Sequence, residues 1–249
     1  MIFFLGDVHG RFTDVNRHVL PARPTAVVFL GDIEPARPFV EEIAPLEAAG
    51  IAVYWIRGNH DTDSRTSWNN LAGAMDRNID GRVVDIGGVR VAGLGGVFRG
   101  EIWFPDHPAM CPAEPKHRNF ADYCRACEAK RPLRERNQQA TGGASYFGRD
   151  LKHESSIFSD TYDALTVQEA DILVTHEAPS CHSHGFKTID HLAQAMGIKR
   201  LFHGHHHDCI NYRAWDAELG FQAFGVAFRG ITDMHGTIIF PGEDHARFR

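Results

Sequence analysis

Five cysteines are too few and too irregularly spaced for the disulfide framework of a small secreted protein. Met1–Leu5 runs straight into Gly6-Asp7 without a basic segment, a long apolar segment or a small-residue cleavage site, so the sequence predicts no signal peptide. No uninterrupted apolar run approaches the roughly 20 residues that span a bilayer. We therefore expect a cytoplasmic protein with no membrane partner.

Positive charge is also scarce: the chain has 26 Lys and Arg against 32 Asp and Glu, a formal net charge of −6. A surface that coats nucleic acid needs clustered Lys and Arg, and the sequence has no such tract. We expect no long nucleic-acid partner. A phosphate-attracting pocket is still compatible with this balance, because bound metals add positive charge that a residue count misses.

Histidine is the residue in excess, with 16 copies, several of them in short clusters. Such clusters indicate metal sites first, since imidazole is a common metal ligand. The length of 249 residues suits one large domain with a complete core and is too short for two enzymatic domains. We predict a single domain over 1–249.

Short apolar runs alternate with amphipathic stretches, a pattern typical of an α/β protein. The predicted strands are Met1–Leu5, Ala26–Leu30, Ile51–Ile56, Arg82–Ile86, Val89–Ala92, Asp171–Thr175, Lys199–His203, Tyr212–Trp215, Phe221–Phe228 and Thr237–Phe240, the last three expected to be antiparallel. Apolar residues at helical spacing predict helices near Phe12–Leu20, Phe39–Leu46, Trp68–Met75, Ser156–Glu169 and Ile189–Met196. From about 98 to 155 the pattern breaks down, which we interpret as a loop-rich insertion whose apolar residues are too sparse for a core.

Five polar clusters directly follow predicted strands. They are Gly6-Asp7-Val8-His9-Gly10, Gly31-Asp32, Gly58-Asn59-His60-Asp61, His176 and Gly204-His205-His206-His207. In open α/β sheets, sites are built outside the carboxyl ends of the strands, so we expect these clusters to meet in space. The flanking glycines permit the sharp departure from the strand that aims a short ligand inward.

The side chains in these clusters are of the kind that holds two neighbouring cations. Each cation needs about four O and N ligands, and a shared carboxylate holds the pair close. Asp7 and His9 share one side of an extended segment, as do His205 and His207, and Asp32 is the natural shared carboxylate. Two dications, two aspartates and a bridging hydroxide leave a net positive charge, which attracts an anionic phosphate.

This ordered set of motifs resembles the signature of the calcineurin-like metallophosphoesterases. The motifs run from residue 6 to residue 207, and five of them in the family's order make the resemblance specific. It implies an α/β fold, a four-layer α/β/β/α sandwich of two mixed β-sheets flanked by helices. It also implies a metal-dependent phosphoric ester hydrolase, in which a hydroxide that bridges two metals attacks the phosphate ester.

The resemblance implies a role for each matching position. The first metal would be held by Asp7, His9, Asp32 and His207, and the second by Asp32, Asn59, His176 and His205. His60 would stabilise or protonate the leaving oxygen, oriented by Asp61. The mixed N/O ligands favour two divalent transition-metal ions, manganese first with iron or zinc as alternatives, over magnesium or calcium.

Two departures from the family pattern bear on the substrate. Ile33-Glu34-Pro35 follows Asp32 where the protein Ser/Thr phosphatases of the superfamily continue with Asp-Arg-Gly, and Asp61 stands in place of Glu. Their phosphate-gripping arginine thus has no match, so a small phosphorylated substrate, an ester or a nucleotide, is favoured over a protein. The alternatives are a nucleotide or nucleic-acid phosphodiesterase, a nuclease, or a non-catalytic metal-binding scaffold.

Some histidines near these motifs allow two interpretations. His203 and His205 form an alternative ligand pair, although the glycine position favours His205 with His207. His182 and His184 belong either to the pocket or, by preference, to a solvated loop.

Further candidates lie in the predicted insertion and just before it. Gly93-Leu94-Gly95-Gly96 with Arg99 is either a phosphate-binding arrangement or, by preference, an ordinary glycine-rich bend. Cys124 and Cys127 suggest a structural zinc site, together with Cys111 or His117, but a second close ligand pair is missing. The aromatic residues either stack on a base over the site or only anchor a long loop; they are Trp103, Phe104, Tyr146 and Phe147.

Overall fold

Two five-stranded sheets form the body of the protein in its computed structural model, which describes residues 1–106, 114–130, 148–210 and 212–243. The first sheet contains β1 (Ile2–Leu5), β2 (Ala26–Phe29), β3 (Ala52–Trp55), β9 (Ile231–Asp233) and β10 (Ile238–Phe240), in the order β10-β9-β1-β2-β3. The second contains β4 (Val83–Ile86), β5 (Val89–Leu94), β6 (Ile172–Thr175), β7 (Arg200–His203) and β8 (Gln222–Gly225), in sequence order. Both sheets are mixed: β9 runs antiparallel to β1, and β4 runs antiparallel to β5.

Helices connect most of the parallel strands. They are α1 (Phe12–Ala22), α2 (Phe39–Ala48), α3 (Arg65–Leu71), α4 (Phe120–Lys130), α5 (Gly148–His153), α6 (Ser159–Thr166), α7 (Lys187–Ala195) and α8 (Asp216–Leu219). Short 3₁₀ turns occur at His60–Thr62, Ala72–Arg77 and Arg213–Trp215. Within the described ranges, no helix is both long and apolar enough to cross a membrane.

Successive side chains of each strand point to opposite faces of its sheet. The core therefore has three parts, one on the outer face of each sheet and one between the sheets. Phe3 of β1 packs with α1 and α2 on the outer face of the first sheet. Phe4 points the other way and stacks on Phe202 of β7 at a centroid distance of 4.0 Å, inside the space between the sheets. Leu201 of β7 packs outward against Leu192 of α7. Helix, sheet, sheet and helix therefore follow one another, which confirms the predicted four-layer sandwich.

The C-terminal part of the chain differs from the prediction in three ways, the first of which is that β9 was not predicted as a strand. Tyr212–Trp215 is not a strand: Arg213–Trp215 is a 3₁₀ turn, and the Tyr212 ring is buried in the core. β8 does form, but it pairs in parallel with β7, not antiparallel. The 3₁₀ turn and α8 form the crossover that a parallel connection requires, and the apolar pattern alone did not reveal them.

The predicted insertion has more structure than its composition indicated. Its described part includes α4 and α5, and Phe98, Ile102 and Tyr123 are buried in the same cluster as the outer face of the second sheet. In this described part the apolar residues join that cluster and do not form a separate core. They need no core of their own, because they extend a core that the second sheet already provides.

Candidate metal centre

All five predicted clusters lie at the same edge of the sandwich. Asp7, Asp32 and Asn59 follow β1, β2 and β3, which are parallel neighbours in the first sheet. His176 and His205 follow β6 and β7, which are parallel neighbours in the second sheet. The expected convergence at the carboxyl ends of the strands is confirmed by these positions, and ligands from both sheets face one another there.

The loops that carry the predicted ligands include several non-glycine residues with a left-handed backbone conformation. His9, Asp32, His205 and His207 all have positive φ angles, of 42°, 48°, 69° and 60°. Non-glycine residues in this region cost free energy and persist only where the surrounding structure imposes them. At Gly58, a Cβ atom would lie 2.2 Å from Oδ1 of Asp32, so only glycine lets the two loops approach this closely.

The first group of ligand atoms surrounds Asp32. Atoms of His9, Asp32 and His207 lie within 4.8 Å of one another. Nε2 of His207 lies 3.3 Å from Oδ2 of Asp7, which brings the fourth predicted ligand to the same place. The structure thus brings together the four residues predicted for the first metal.

The second group shares Asp32 with the first. Ligand atoms of Asp32, His176 and His205 lie within 4.8 Å of one another. Nε2 of His176 lies 3.4 Å from Oδ2 of Asp32 and 3.1 Å from Oδ1 of Asn59. The four residues predicted for the second metal are therefore also together, and Asp32 is the residue common to both groups.

The donor atoms in these groups fit cations. Oδ1 of Asp7, Nε2 of His9 and Oδ2 of Asp32 are buried without a hydrogen-bond partner, and such atoms are rare unless water or an ion satisfies them. Nδ1 of His176 donates to the carbonyl of Leu30 over 2.8 Å, which leaves its Nε2 as the ligand atom. Burial lowers the pKa of His205 to about 3, with the charge of His176 adding to the effect, so His205 is neutral and can ligate.

Electrostatics at the two aspartates also indicate a need for positive charge. Burial raises the pKa of Asp7 to about 7, against the opposing charge of His176. Burial acts in the same direction on Asp32, but the positive charge of His176, whose Nε2 lies 3.4 Å from Oδ2 of Asp32, outweighs it and holds the pKa of Asp32 below its usual range. These carboxylates rely on a protonated His176, whose pKa is raised to about 10 by Asp32 and Asp7 against the effect of burial. A bound dication would supply that positive charge more fully than one imidazolium.

His60 lies beside the two groups and belongs to neither of them. Its backbone N–H donates to Oδ1 of Asp32 over 2.7 Å, and its ring centroid lies 5.4 Å from that of His9. Its side chain is 45% exposed, and Nδ1 donates to Oδ2 of Asp63 over 2.5 Å. Burial opposes the protonated form, but the Asp63 hydrogen bond and the charge of Asp32 raise the pKa of His60.

Asp61 differs from its predicted role. It does not orient His60, because its carboxylate accepts three backbone hydrogen bonds, from Ile33 (2.7 Å), Glu34 (3.0 Å) and Gly58 (2.7 Å). Asp61 is fully buried and joins the loop after β2 to the loop after β3. The partner of His60 is Asp63, two positions further on, where the 3₁₀ turn brings its carboxylate back to the ring.

Glu34 is a site residue that the sequence analysis recorded only as a departure from the family pattern. Its Oε2 accepts a hydrogen bond from Nδ1 of His9. A carboxylate on the far nitrogen fixes the tautomer of a metal-binding histidine and raises its basicity. Nε2 of His9, the buried nitrogen without a partner, is thereby directed to the first group. The signal in the sequence was an acidic residue two positions after Asp32.

Arg99 lies between the two ends of the predicted insertion. Its Nη1 donates to the Ser155 carbonyl over 2.8 Å and to Oγ of Ser156 over 3.0 Å, so the guanidinium ties the two ends of the predicted insertion together. The glycine-rich segment before it uses its amides internally: the N–H of Gly95 donates to Asp80 over 2.7 Å. The preferred interpretation of this segment as an ordinary bend agrees with that bond, and the substrate contact of Arg99 stays a prediction.

Three further histidines, His182, His203 and His206, lie together beside the ligands of the second sheet. His203 is buried, and its Nδ1 lies 3.1 Å from the carbonyl oxygen of Gly204, so it is in neither group and the pairing of His205 with His207 holds. His182 is buried too, contrary to the preferred solvated-loop interpretation. It bonds to Asp208 over 3.1 Å and stacks on His206 at 3.9 Å. His206 also has a ligand atom within 4.8 Å of atoms of Glu177 and His205.

The predicted zinc site has no support in the described residues. Cys124 and Cys127 lie on α4 and pack partly buried against the core, and within the described ranges they join no metal-binding group. Cys111 lies outside the described residues. Trp103 and Phe104 pack with the core aromatics Phe98 and Phe186, so they anchor the chain there. Tyr146 and Phe147 lie outside the described residues.

The chain is similar to several known proteins. A family model described as calcineurin-like phosphoesterase matches residues 1–209. An uncharacterized protein of Haemophilus influenzae is 35% identical over 246 residues, 98% of each chain. Among solved structures, a dimetal phosphatase from Danio rerio aligns with 14% identity and a TM-score of 0.49, over 95% of this chain and 90% of that one. A Thermus thermophilus protein aligns with 14% identity and a TM-score of 0.49, over 94% of each chain.

Proposed function

The chain belongs to the calcineurin-like phosphoesterase family, and on this premise we propose that it hydrolyses small phosphate esters or nucleotides with the help of two divalent cations. The observation that carries the proposal is Asp32. Its buried carboxylate is common to two groups of nitrogen and oxygen donors, and its Oδ2 is buried without a hydrogen-bond partner. Two-metal phosphoesterases need such a shared carboxylate to hold the ions close.

The donor set indicates which residues would hold each ion. Asp7, His9, Asp32 and His207 would hold the first, and Asp32, Asn59, His176 and His205 the second. Four histidines among seven ligands favour manganese, iron or zinc over magnesium or calcium, which prefer oxygen. When bound, such ions activate water and neutralise the charge on a phosphate.

Residues outside the two groups position and assist the reaction. Glu34 keeps Nε2 of His9 available as a ligand by accepting a hydrogen bond from Nδ1–H. His60 is held by its backbone bond to Asp32, and Asp63 favours its protonated form. A protonated His60 can donate from Nε2 to the leaving oxygen of the substrate, which is general acid catalysis.

The test of this function begins with metal-stripped protein. Manganese, iron, zinc or magnesium is added back, and hydrolysis is measured with p-nitrophenyl phosphate, its bis ester, cyclic nucleotides, dinucleoside polyphosphates and a phosphopeptide. We expect activity to depend on a transition metal and to vanish on chelation. Failure of every metal and substrate combination would contradict the proposal.

Metal content provides a second measurement that does not depend on activity. We expect close to two ions per chain at saturating manganese. Asp32→Asn should lower the occupancy of both sites, because both groups share this carboxylate. His9→Ala is the matched comparison and should mainly deplete one ion, since His9 belongs to the first group alone. If Asp32→Asn retained both ions, Asp32 would not be shared.

A further inference from the structure

Two arginines at the edge of the first ligand group hold the same carboxylate. Nη1 of Arg11 pairs with Oε1 of Glu243, and Nη1 of Arg229 donates to Oε2 over 2.6 Å. Each oxygen of one carboxylate therefore meets a different guanidinium. Arginine suits phosphate and carboxylate equally well, and such charge-assisted bonds are roughly twice as strong as neutral ones.

Phe228 links this arginine pair to the candidate metal centre. Its ring centroid lies 4.5 Å from that of His207 and 5.3 Å from that of His9. The guanidinium carbon of Arg229 lies over the Phe228 ring, 4.4 Å from the centroid. Nε of Arg229 donates to the carbonyl of Val8 over 3.4 Å. The arginine pair thus lies one aromatic ring away from the first ligand group.

Backbone packing places Glu243 at this position. Gly242 has a φ of 74°, and a Cβ atom there would lie 2.1 Å from the carbonyl oxygen of Phe228. The N–H of Glu243 donates to that same oxygen over 3.0 Å. The Glu243 side chain is nevertheless 39% exposed and that of Arg11 48% exposed. A solvated carboxylate held in this way can be exchanged for another anion without disturbing the core.

The surrounding charges leave the cluster positive. Nε of Arg11 lies 3.8 Å from Oδ2 of Asp14, and Nη1 of Arg17 lies 3.5 Å from Oδ1 of the same aspartate. Three arginines thus face two carboxylates, those of Asp14 and Glu243. A competing anion that displaced Glu243 would replace its negative charge, so Arg11 and Arg229 would still have an anionic partner.

We propose that Arg11 and Arg229 form a subsite for a second anionic group of the substrate, and that Glu243 occupies this subsite when no substrate is bound. The inference rests on the proposed function and narrows its substrate class. The substrate would be a phosphate ester with a further phosphate or carboxylate, such as a bisphosphate or a phosphorylated carboxylic acid. The reacting phosphate would lie at the ligand groups and the second anion at the arginines.

Binding of small anions tests the subsite directly. Isothermal titration calorimetry of manganese-loaded protein, at fixed free manganese, compares orthophosphate with phosphonoacetate, methylenebisphosphonate and propylenebisphosphonate. We expect one or more of the two-anion probes to bind more tightly than orthophosphate. Preference for phosphonoacetate would identify the second group as a carboxylate, and preference for a bisphosphonate would identify it as a phosphate.

The variants are expected to shift this preference in opposite directions. Arg229→Gln and Arg11→Gln should each weaken the preferred probe about tenfold relative to orthophosphate, because each removes one charge-assisted contact. Glu243→Gln should strengthen it, because the resident carboxylate no longer competes. Arg90→Gln is the matched control, since Arg90 is an exposed arginine that pairs with Glu169 and Asp171 and has no contact with this cluster; it should leave the ratio unchanged.

Two results would overturn the subsite. One is an unchanged ratio of affinities in both arginine variants. The other is weaker binding of the two-anion probe by Glu243→Gln, which would show that the ion pairs only fix the chain. Hydrolysis of p-nitrophenyl phosphate by the unaltered protein is measured separately. If the protein hydrolyses this ester but binds orthophosphate and the two-anion probes equally well, only the subsite is contradicted. If it hydrolyses the ester with none of the metals, the proposed function is contradicted.

Discussion

His60 is a site residue whose role in the reaction can be tested separately from metal binding. It lies outside both ligand groups, its side chain is 45% exposed, and its ring bonds to Asp63, which is 61% exposed. The raised pKa of His60 keeps the ring protonated to higher pH than a free histidine. Its ring is therefore free to act on a substrate without a change in the ligand groups.

We predict that His60→Ala leaves two ions bound and lowers kcat by about 10²–10⁴-fold, with KM little changed. The loss should be smallest for an activated aryl phosphate, which leaves without much protonation, and largest for an alkyl ester. Metal analysis and kinetics with both kinds of ester check this. Loss of an ion would make His60 a ligand, and equal losses for both esters would contradict the role as a general acid.

At the scale of elements, Asp61 joins two ligand loops that the sequence places far apart. Its two oxygens accept from the backbone of the β2 loop and of the β3 loop. A buried carboxylate with three such donors is difficult to replace, because asparagine presents one oxygen and one N–H₂ group to the same donors. Asp61 is thus a positioning residue for the loops that carry Asp32 and Asn59.

We predict that Asp61→Asn lowers the free energy of unfolding by about 1–3 kcal/mol, because a buried donor is left unsatisfied. It should also weaken binding of both ions, because both depend on the placement of Asp32. Asp63→Asn is the exposed control and should preserve stability and metal content while lowering kcat slightly. Denaturant titration and metal affinity measure the difference. If Asp63→Asn were as destabilising as Asp61→Asn, the assignment of these two aspartates would be wrong.

The elements that the sequence predicted correctly are those whose signal is local. Strands such as β2 (Ala26–Phe29) are fully buried apolar runs, and the ligand clusters are short motifs directly after them. The partners of Asp61, His9 and Arg99 could not be predicted, because each depends on a contact between loops that are distant in the chain. The direction of β8 depends in the same way on the crossover before it. Sequence spacing therefore identified the candidate ligands, but not the residues that position them.

At the scale of the whole molecule, the ligands come from both sheets. Asp7 and Asp32 follow strands of the first sheet, and His176, His205 and His207 follow strands of the second. Each ligand group includes residues from both sides of the sandwich. Metal binding should therefore stabilise the packing of the sheets as well as the loops. The single domain over 1–249, the cytoplasmic location and the preference for manganese stay predictions.

We predict that saturating manganese raises the Tm of metal-stripped protein and that a chelator reverses the change. An ion that binds only the folded state stabilises it by about 4 kcal/mol at a thousandfold excess over its Kd. Differential scanning calorimetry measures the shift. Asp32→Asn should show a much smaller shift, because it weakens both sites. An equal shift in this variant would place the stabilising ions elsewhere on the protein.

The division of the ligands between the two sheets also constrains the order of events during synthesis. Asp7, His9, Asp32 and Asn59 leave the ribosome early, whereas the last ligand, His207, is made only after about four-fifths of the chain. A nascent chain thus carries an incomplete ligand set for most of its translation, because His176, His205 and His207 have not yet been made. Metal acquisition becomes a late step in biogenesis, and a truncated product that ends before residue 176 would compete poorly for scarce transition metal in the cell.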